Sequence, residues 1–463
     1  MFVTTTEDSA VAAALSVVVG GWDRELDALM QRVGGCFARV ETRRTARDVV
    51  DGLLAGLPRK NCWSLAEHAG HGCPGRLQHL LSRASWDDAA VRAEVAAYVA
   101  ENLTAGVDDD LVTLVFDETG DAKKGRRTVG VQRQYSGTCG RIENCQLAVF
   151  ATLATPAGHA FVDVELYLPQ SWTSDADRCT AAGIPNDVEF ATKPQLALRM
   201  ADRVLAAGIL PGWIAADEAY GDNTQLRGDL EERSLNYVMA VSCDTQIPTP
   251  KGKIRADTLA KQIPRRGWQT LSAGNGSKGE RLYHWAYTSI NPAASGDDRN
   301  SQPRQHRWLL IRRNPHTGQL AYFLCHATRP VSLHTLVRVA GTRWRIEENF
   351  QAGKGCAGLD EHQVRTWTSW HRWTTLAMLA HAFLAVTAAH HRPQTPPAPA
   401  TNDDEAMIPL TCNEIRHIRA TLTRPRHTTV HITRWHRYRR RHQHRARRCH
   451  YQTRQQRDHD LQL

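Results

Sequence analysis

Two short apolar runs, LVTLVFD and GWIAAD, each stop at an acid, Asp117 and Asp217. Neither alternates polar with apolar residues, so each predicts a buried strand. RTVGVQRQYSG follows the first run. NCQLAVFATLATPAGHAFVDVELYLP then predicts a hairpin turning at Thr155 to Gly158. KPQLALRMADRVLAAGI predicts a helix closed near Gly208 and Pro211, just before the second aspartate run. Strands in a row, a helix and a further strand describe a mixed α/β sheet.

A third acid, Glu347, lies in TRWRIEENFQAGKG (Thr342 to Gly355). Arg343, Glu347, Phe350 and Lys354 follow i, i+4, i+7 and i+11, which predicts one face of one helix. Taken singly, an aspartate after a strand caps turns and a helical glutamate is solvated. Taken together, two carboxylates at strand ends and one on a helix are what a two-metal phosphoryl-transfer site requires. Oxygen ligands from separated elements converge on Mg²⁺, which activates a nucleophile and stabilises the leaving oxygen. Glu118, Asp121, Glu218 and Glu348 are neighbouring acids, and the spacing to Arg343 and Lys354 selects Glu347 over Glu348.

These segments resemble a DDE transposase with a ribonuclease-H-like core. The last motif is similar to the Tyr-x2-Arg-x3-Glu-x6-Lys signature of the insertion-sequence group built around family four. Arg343, Glu347 and Lys354 match by spacing, while Ala340 stands where the signature has tyrosine. FDETGDAKKG, VGVQRQYSGTCGRIENCQLAVF, AADEAYGDN and WRIEENFQAGKGCAGLDEHQVRTW resemble insertion-sequence family seven-hundred-one more closely, and the similarity runs over roughly residues 20 to 455. The resemblance implies Asp117, Asp217 and Glu347 as catalytic metal ligands, with Arg343 and Lys354 on DNA phosphates. It also implies that Trp308, in WLLIRR, stacks on a flipped base, against the ordinary reading of a strand tryptophan in the core.

Further residues suit nucleic acid by their chemistry. DAKKGRRTVGVQRQYSG places Lys123, Lys124 and Arg133 just beyond Asp117, where a basic turn would meet the DNA backbone. The tail ITRWHRYRRRHQHRARRCHY interleaves Arg437, Arg439 and Arg440 with aromatic residues, a composition that suits phosphate contact and base stacking. Cys62, His68, His71 and Cys73 lie close together in sequence, but their spacing matches no usual zinc pairing.

The chain carries a net charge of +10. From Thr411 onward there are 14 Arg, no Lys and three acids, a net of +11. The positive charge therefore belongs to the tail, and the remainder is near neutral. Eleven cysteines without a CxxC pair suggest reduced thiols in a cytosolic protein. Glu7 and Asp8 before VAAALSVVVGG argue against a signal peptide. LAMLAHAFLAV, near residues 376–386, is too short to cross a bilayer and predicts a buried helix.

The expected organisation is α/β: a ribonuclease-H-like catalytic core with a β-rich insertion, a helical N-terminal domain and a basic C-terminal tail. Residues 1–105 form the helical part, which could dock DNA. The core falls at 106–242 and 306–390, with the insertion at 243–305. A Pro-rich linker spans 391–410 and the Arg-rich tail 411–463. The expected activity is a DNA transposase using two Mg²⁺, with Mn²⁺ as a substitute. It would bind double-stranded DNA, both its element's terminal inverted repeats and the target, and act as a homodimer in the synaptic complex. It would work in the cytoplasm at the nucleoid, with no membrane partner. A domesticated transposase acting as a DNA-binding regulator, and a ribonuclease-H-like nuclease without strand transfer, are the competing readings.

Overall fold

The computed structural model describes residues 20–138, 140–250, 252–276, 279–290, 306–392 and 408–460. Most of the expected linker (393–407), the end of the polar insertion (291–305) and the segment preceding residue 20 lie outside the described residues.

Twelve strands are present among the described residues. The first six are β1 (Thr113–Ala122), β2 (Gln132–Ser136), β3 (Arg141–Ala154), β4 (His159–Leu166), β5 (Trp213–Ala216) and β6 (Tyr237–Val241). Then come β7 (Gln246–Thr249), β8 (Gly252–Arg255), β9 (Gln269–Gly276), β10 (Gly279–Ser289), β11 (His306–Arg313) and β12 (Leu320–Ala327). β7 and β8 form their own small hairpin; the others make one sheet. Its order is β2-β3-β1-β5-β6-β12-β11-β10-β9, with β4 also paired to β3. β1, β5 and β6 run parallel, and their neighbours are antiparallel. The arrangement β4-β3-β1-β5-β6, with two antiparallel strands followed by three parallel ones, is the ribonuclease-H-like core. β3 and β4 turn where Thr155 donates its amide to Gly158 O at 2.8 Å. The strands between residues 269 and 327 continue the same ladder outward from β6.

Helices cover the sheet. The N-terminal ones are α1 (20–32), α2 (Val40–Leu54), α3 (Cys62–His68), α4 (Gly75–Ser82) and α5 (Asp88–Leu103). Val91, Val95, Val99 and Leu103 form the buried stripe of α5, at the i, i+4 spacing of one helix face. Further on are α6 (Lys193–Ala206), α7 (Leu333–Thr342), α8 (Arg345–Ala357), α9 (Trp367–His390), α10 (Cys412–Leu422) and α11 (Thr429–Asp460). At 24 residues, α9 is longer than the apolar stretch suggested and could span a bilayer by length. It is instead the central helix of the core, buried from Ser369 to Ala388 against α5, α8 and β4.

α7 lies very close to the extension strands. A Cβ on Gly341 would come 2.1 Å from the Ala273 carbonyl oxygen of β9, so only glycine permits the approach. Arg281 of β10 donates to the carbonyls of both Gly341 (3.1 Å) and Ala273 (2.7 Å), tying the last turn of α7 to β9.

Two predictions follow from this packing. Gly341→Ala should destabilise the fold by about 1–3 kcal/mol, because the opposing atom is backbone and cannot turn away; an unchanged urea midpoint would refute the contact. The second concerns pH. Burial holds His371 and His381 of α9 neutral, each pushed down to about 3. An unfolded histidine takes up its proton near pH ~6.5. Between those values the unfolded chain binds more protons, so stability falls as pH drops from about 6.5 toward 3, by up to about 1.4 kcal/mol per pH unit for each ring. His381→Leu should flatten that acid limb in urea titrations run from pH 7 to pH 4.5.

Candidate active site

Parallel pairing sets the first two acids. Phe116 of β1 is in register with Ala216 of β5, and Asp117 and Asp217 are the next residues on these adjacent strands. The Glu118 amide donates to Asp117 Oδ1 at 2.8 Å. Asp217 leaves its strand to cap the short helix Glu218–Gly221, accepting from the Ala219 amide at 2.9 Å. That helix presses on β6 through Gly221, where a Cβ would fall 1.8 Å from the Ala240 oxygen.

The third acid comes from α8. The sequence spacing predicts a single helix through Arg343, but the helix breaks there. Arg343 ends α7, Trp344 precedes α8, and only Glu347, Phe350 and Lys354 share the second helix. Phe350 turns into the core against Phe150 and Phe161. Arg343 Nη1 donates to Asp117 Oδ2 at 3.2 Å, so its partner is the first acid rather than Glu347. Lys354 Nζ donates to Thr119 Oγ1 at 2.7 Å on β1.

Glu347 and Glu348 part company at this point. Glu348 accepts from Arg345 (2.7 Å) and lies 3.1 Å from His159 Nε2. Burial alone would raise its carboxyl, but the hydrogen bonds from His159 and Arg345 hold it down at about 2. Asn349, fully buried, lies 2.7 Å from His159 Nδ1 and donates to Thr152 Oγ1 at 3.0 Å. Glu348 and Asn349 thus bolt α8 to the β3–β4 hairpin, while the charge of Glu347 acts on Asp117. Lys60 secures the far end of α8 by donating to the Cys356 carbonyl at 2.7 Å. Burial lowers this lysine to about 8.

Electrostatics define what the cluster wants. Burial first, and then Asp217, push the Asp117 carboxyl up to about 8 against the pull of Arg343. Asp217 is raised as well, by burial and by Glu118. Glu118 is itself held by Lys193 and by the Tyr220 hydroxyl at 2.8 Å. Buried carboxylates that repel one another are stabilised by a cation. Among the described residues no three His, Cys, Asp or Glu side chains are arranged to hold an ion as they stand. The guanidinium of Arg343 is the cation on Asp117.

The remaining candidates divide by exposure. Lys124 and Arg133 are exposed, Lys124 past the end of β1 and Arg133 on the edge strand β2. Lys123 is not free: it pairs with Asp121 and lies 3.4 Å from the His362 carbonyl. Trp308 is only 7% exposed, lies on β11 between β12 and β10, and stacks on His306, so the structure places its ring in the core. Trp344, which the sequence reading passed over, is 48% exposed next to Arg343. Its neighbour in the motif was the available signal. Arg437 and Arg440 are exposed on α11, whereas Arg439 pairs with Glu67 of α3 and is no open DNA contact. His71 is 2.9 Å from Asp48, so this ring nitrogen of the Cys62–Cys73 group has a protein partner.

The family described as DDE superfamily endonuclease matches residues 32–270, just over half of the chain, and takes in Asp117 and Asp217. The transposase DDE domain matches residues 178–383 and takes in Asp217 and Glu347. The protein named "Probable transposase for insertion sequence element IS701" of Microchaete diplosiphon is 26% identical over 275 residues. That alignment covers 57% of this chain and 65% of the relative, somewhat under two thirds of its length. A solved piggyBac transposase synaptic complex with hairpin DNA aligns at 10% identity and a TM-score of 0.42, over 83% of this chain and 71% of that one. The chain belongs to the DDE superfamily of endonucleases and is similar to the transposase of IS701.

Proposed function

We propose that this transposase binds the terminal inverted repeats of its own element, pairs two ends as a homodimer, and cuts the phosphodiester at each end. The freed 3′-hydroxyl then attacks target DNA. The family's chemistry depends on divalent metal. The proposed ligands are Asp117, Asp217 and Glu347, holding two Mg²⁺ or, in substitution, Mn²⁺. Such ions activate the attacking oxygen and take up charge on the leaving one. The observation that carries this reading is the buried Asp117 beside the half-buried Asp217, at one level of neighbouring strands, with Arg343 already paired to Asp117.

The protein's own side chains then have defined tasks. Arg343 exchanges Asp117 for a DNA phosphate as the acids gain their ions, and its planar fork suits that contact. Lys354, beside Thr119, holds a second phosphate. Lys124 and Arg133 extend the basic rim on which the duplex rests. Trp344 offers the exposed aromatic face that an unpaired base at the cut would stack on.

The test uses DNA carrying the repeats that flank the gene, with Mg²⁺ or Mn²⁺. Asp117→Asn, Asp217→Asn and Glu347→Gln should each lower cleavage by more than about a hundredfold, since they remove direct ligands where losing a supporting group alone costs 10–100-fold. End binding should persist. Glu348→Gln should cost about 1–3 kcal/mol of stability and still cut. If Glu348→Gln were inactive and Glu347→Gln active, the helix assignment would be wrong. Specific binding by the wild-type chain with no cut product would instead favour a regulator.

The base-stacking role separates two tryptophans. Trp344→Ala should weaken capture of an unpaired terminal base by about 1–3 kcal/mol, read by 2-aminopurine fluorescence, without loss of fold. Trp308→Ala should unfold the sheet extension instead. Equal fluorescence changes from both would sink the assignment to Trp344.

A further inference from the structure

The C-terminal helix α11 is 32 residues long, about 48 Å at 1.5 Å per residue. It is docked by one face near its start. Trp435 is 1% exposed, and Trp435, Tyr438 and His442 surround Trp63 of α3 at ring distances of 6.2, 5.7 and 4.7 Å. Arg439 latches the same face to Glu67, and His431 lies 3.4 Å from the Glu67 carbonyl. His431, Trp435, Tyr438 and His442 follow i, i+4, i+7 and i+11, so this docked side is one helix stripe.

The undocked sides carry the charge. Arg434, Arg437, Arg441, Arg445 and Arg448 follow i, i+3, i+7, i+11 and i+14, a stripe roughly a quarter turn around the helix from the docked one, and Arg440 and Arg447 lie on the side opposite the docked stripe. All seven are exposed. No acid occurs between Thr429 and Arg457. Like charges three and four residues apart destabilise a helix by about 0.2–0.5 kcal/mol per pair, and nothing within the helix offsets them.

We infer that α11 is a backbone-reading arm for duplex DNA, latched to α3 by Trp435 and Arg439, and that its exposed arginines contact the phosphates. A duplex supplies closely spaced negative charges, and its turn of about 34–36 Å is shorter than the helix. A bilayer surface fits poorly, because between Arg434 and Arg448 the aromatic side chains are turned onto Trp63. The arginine side therefore lacks the apolar stripe an interfacial helix needs. Arg439 is excluded from the DNA contacts by its own ion pair. The identity of the polyanion rests on the proposed function. The arm itself does not need the catalytic site.

The experiment measures anisotropy of a labelled duplex of scrambled sequence, in EDTA, with the full chain at increasing salt. Each neutralised phosphate adds about 0.9 to the slope of log affinity against log salt. Arg441→Gln/Arg445→Gln/Arg448→Gln should lower that slope by about 2–3, equally for scrambled and repeat sequences. Arg439→Gln should leave the slope nearly unchanged, though it removes the same charge from the same helix. Circular dichroism checks that both variants remain helical. An unchanged slope in the triple variant overturns the proposal, as does an equal per-residue loss in Arg439→Gln. Binding to phosphatidylserine vesicles with a flat DNA slope would also overturn it. So would loss of self-association in the triple variant with the DNA slope intact. Because no metal is present, failure of cleavage elsewhere leaves this test untouched.

Discussion

Parallel pairing of β1 with β5 puts Asp117 and Asp217 at one level on neighbouring strands, and most of the site's architecture answers the repulsion this creates. Two carboxylates so placed, one buried and one half-buried, cannot both ionise cheaply. The raised carboxyl of Asp117 expresses that conflict. Arg343 relieves part of it, while Glu118, held by Lys193 and Tyr220, adds to the repulsion on both aspartates. A cluster of this kind is built to take up positive charge, whether from a guanidinium or from divalent ions.

The helix that brings the third acid is held from several sides. Glu348 and Asn349 fasten α8 to the β3–β4 hairpin through His159 and Thr152, and Lys60 reaches from the N-terminal helices to the carbonyl at its far end. The α7–α8 junction is placed from another direction. Gly341 allows α7 to touch β9, and Arg281 of β10 ties the two backbones together. The strands added beyond β6 therefore help to aim Arg343 as well as extending the sheet. Precise aim matters because phosphoryl transfer depends mostly on positioning and charge.

Much of this was legible in the residues. LVTLVFD and GWIAAD announce themselves because strands buried on both faces need unbroken apolar runs. The β3–β4 hairpin, helix α6 and the strands RWLLIRR and LAYFLCHA were legible from the same periodicities. Other placements were not legible, for physical reasons. Arg343 to Lys354 looks like one helix because periodicity registers angle and not a break at a single residue. Trp308 and Trp344 look alike in sequence, yet one stacks inside the sheet and the other faces solvent. Lys123 and Arg439 look like open cations, and each has a carboxylate partner, Asp121 only two residues away and Glu67 more than 370 positions off.

The sequence by itself determined which chemistry was available: three acids in order, a basic motif around the third, and an arginine tail without counter-charges. Those are properties of residue type and spacing, which survive any arrangement of the chain. Only the tertiary structure decided which carboxylate faces which, that Arg343 pairs with Asp117, that Glu348 pairs with His159 and Arg345, and which face of α11 stays open. Each of these depends on contacts between segments far apart in the chain. Repulsion, burial and hydrogen bonding act through distance in space, and neighbours in sequence carry no record of that distance.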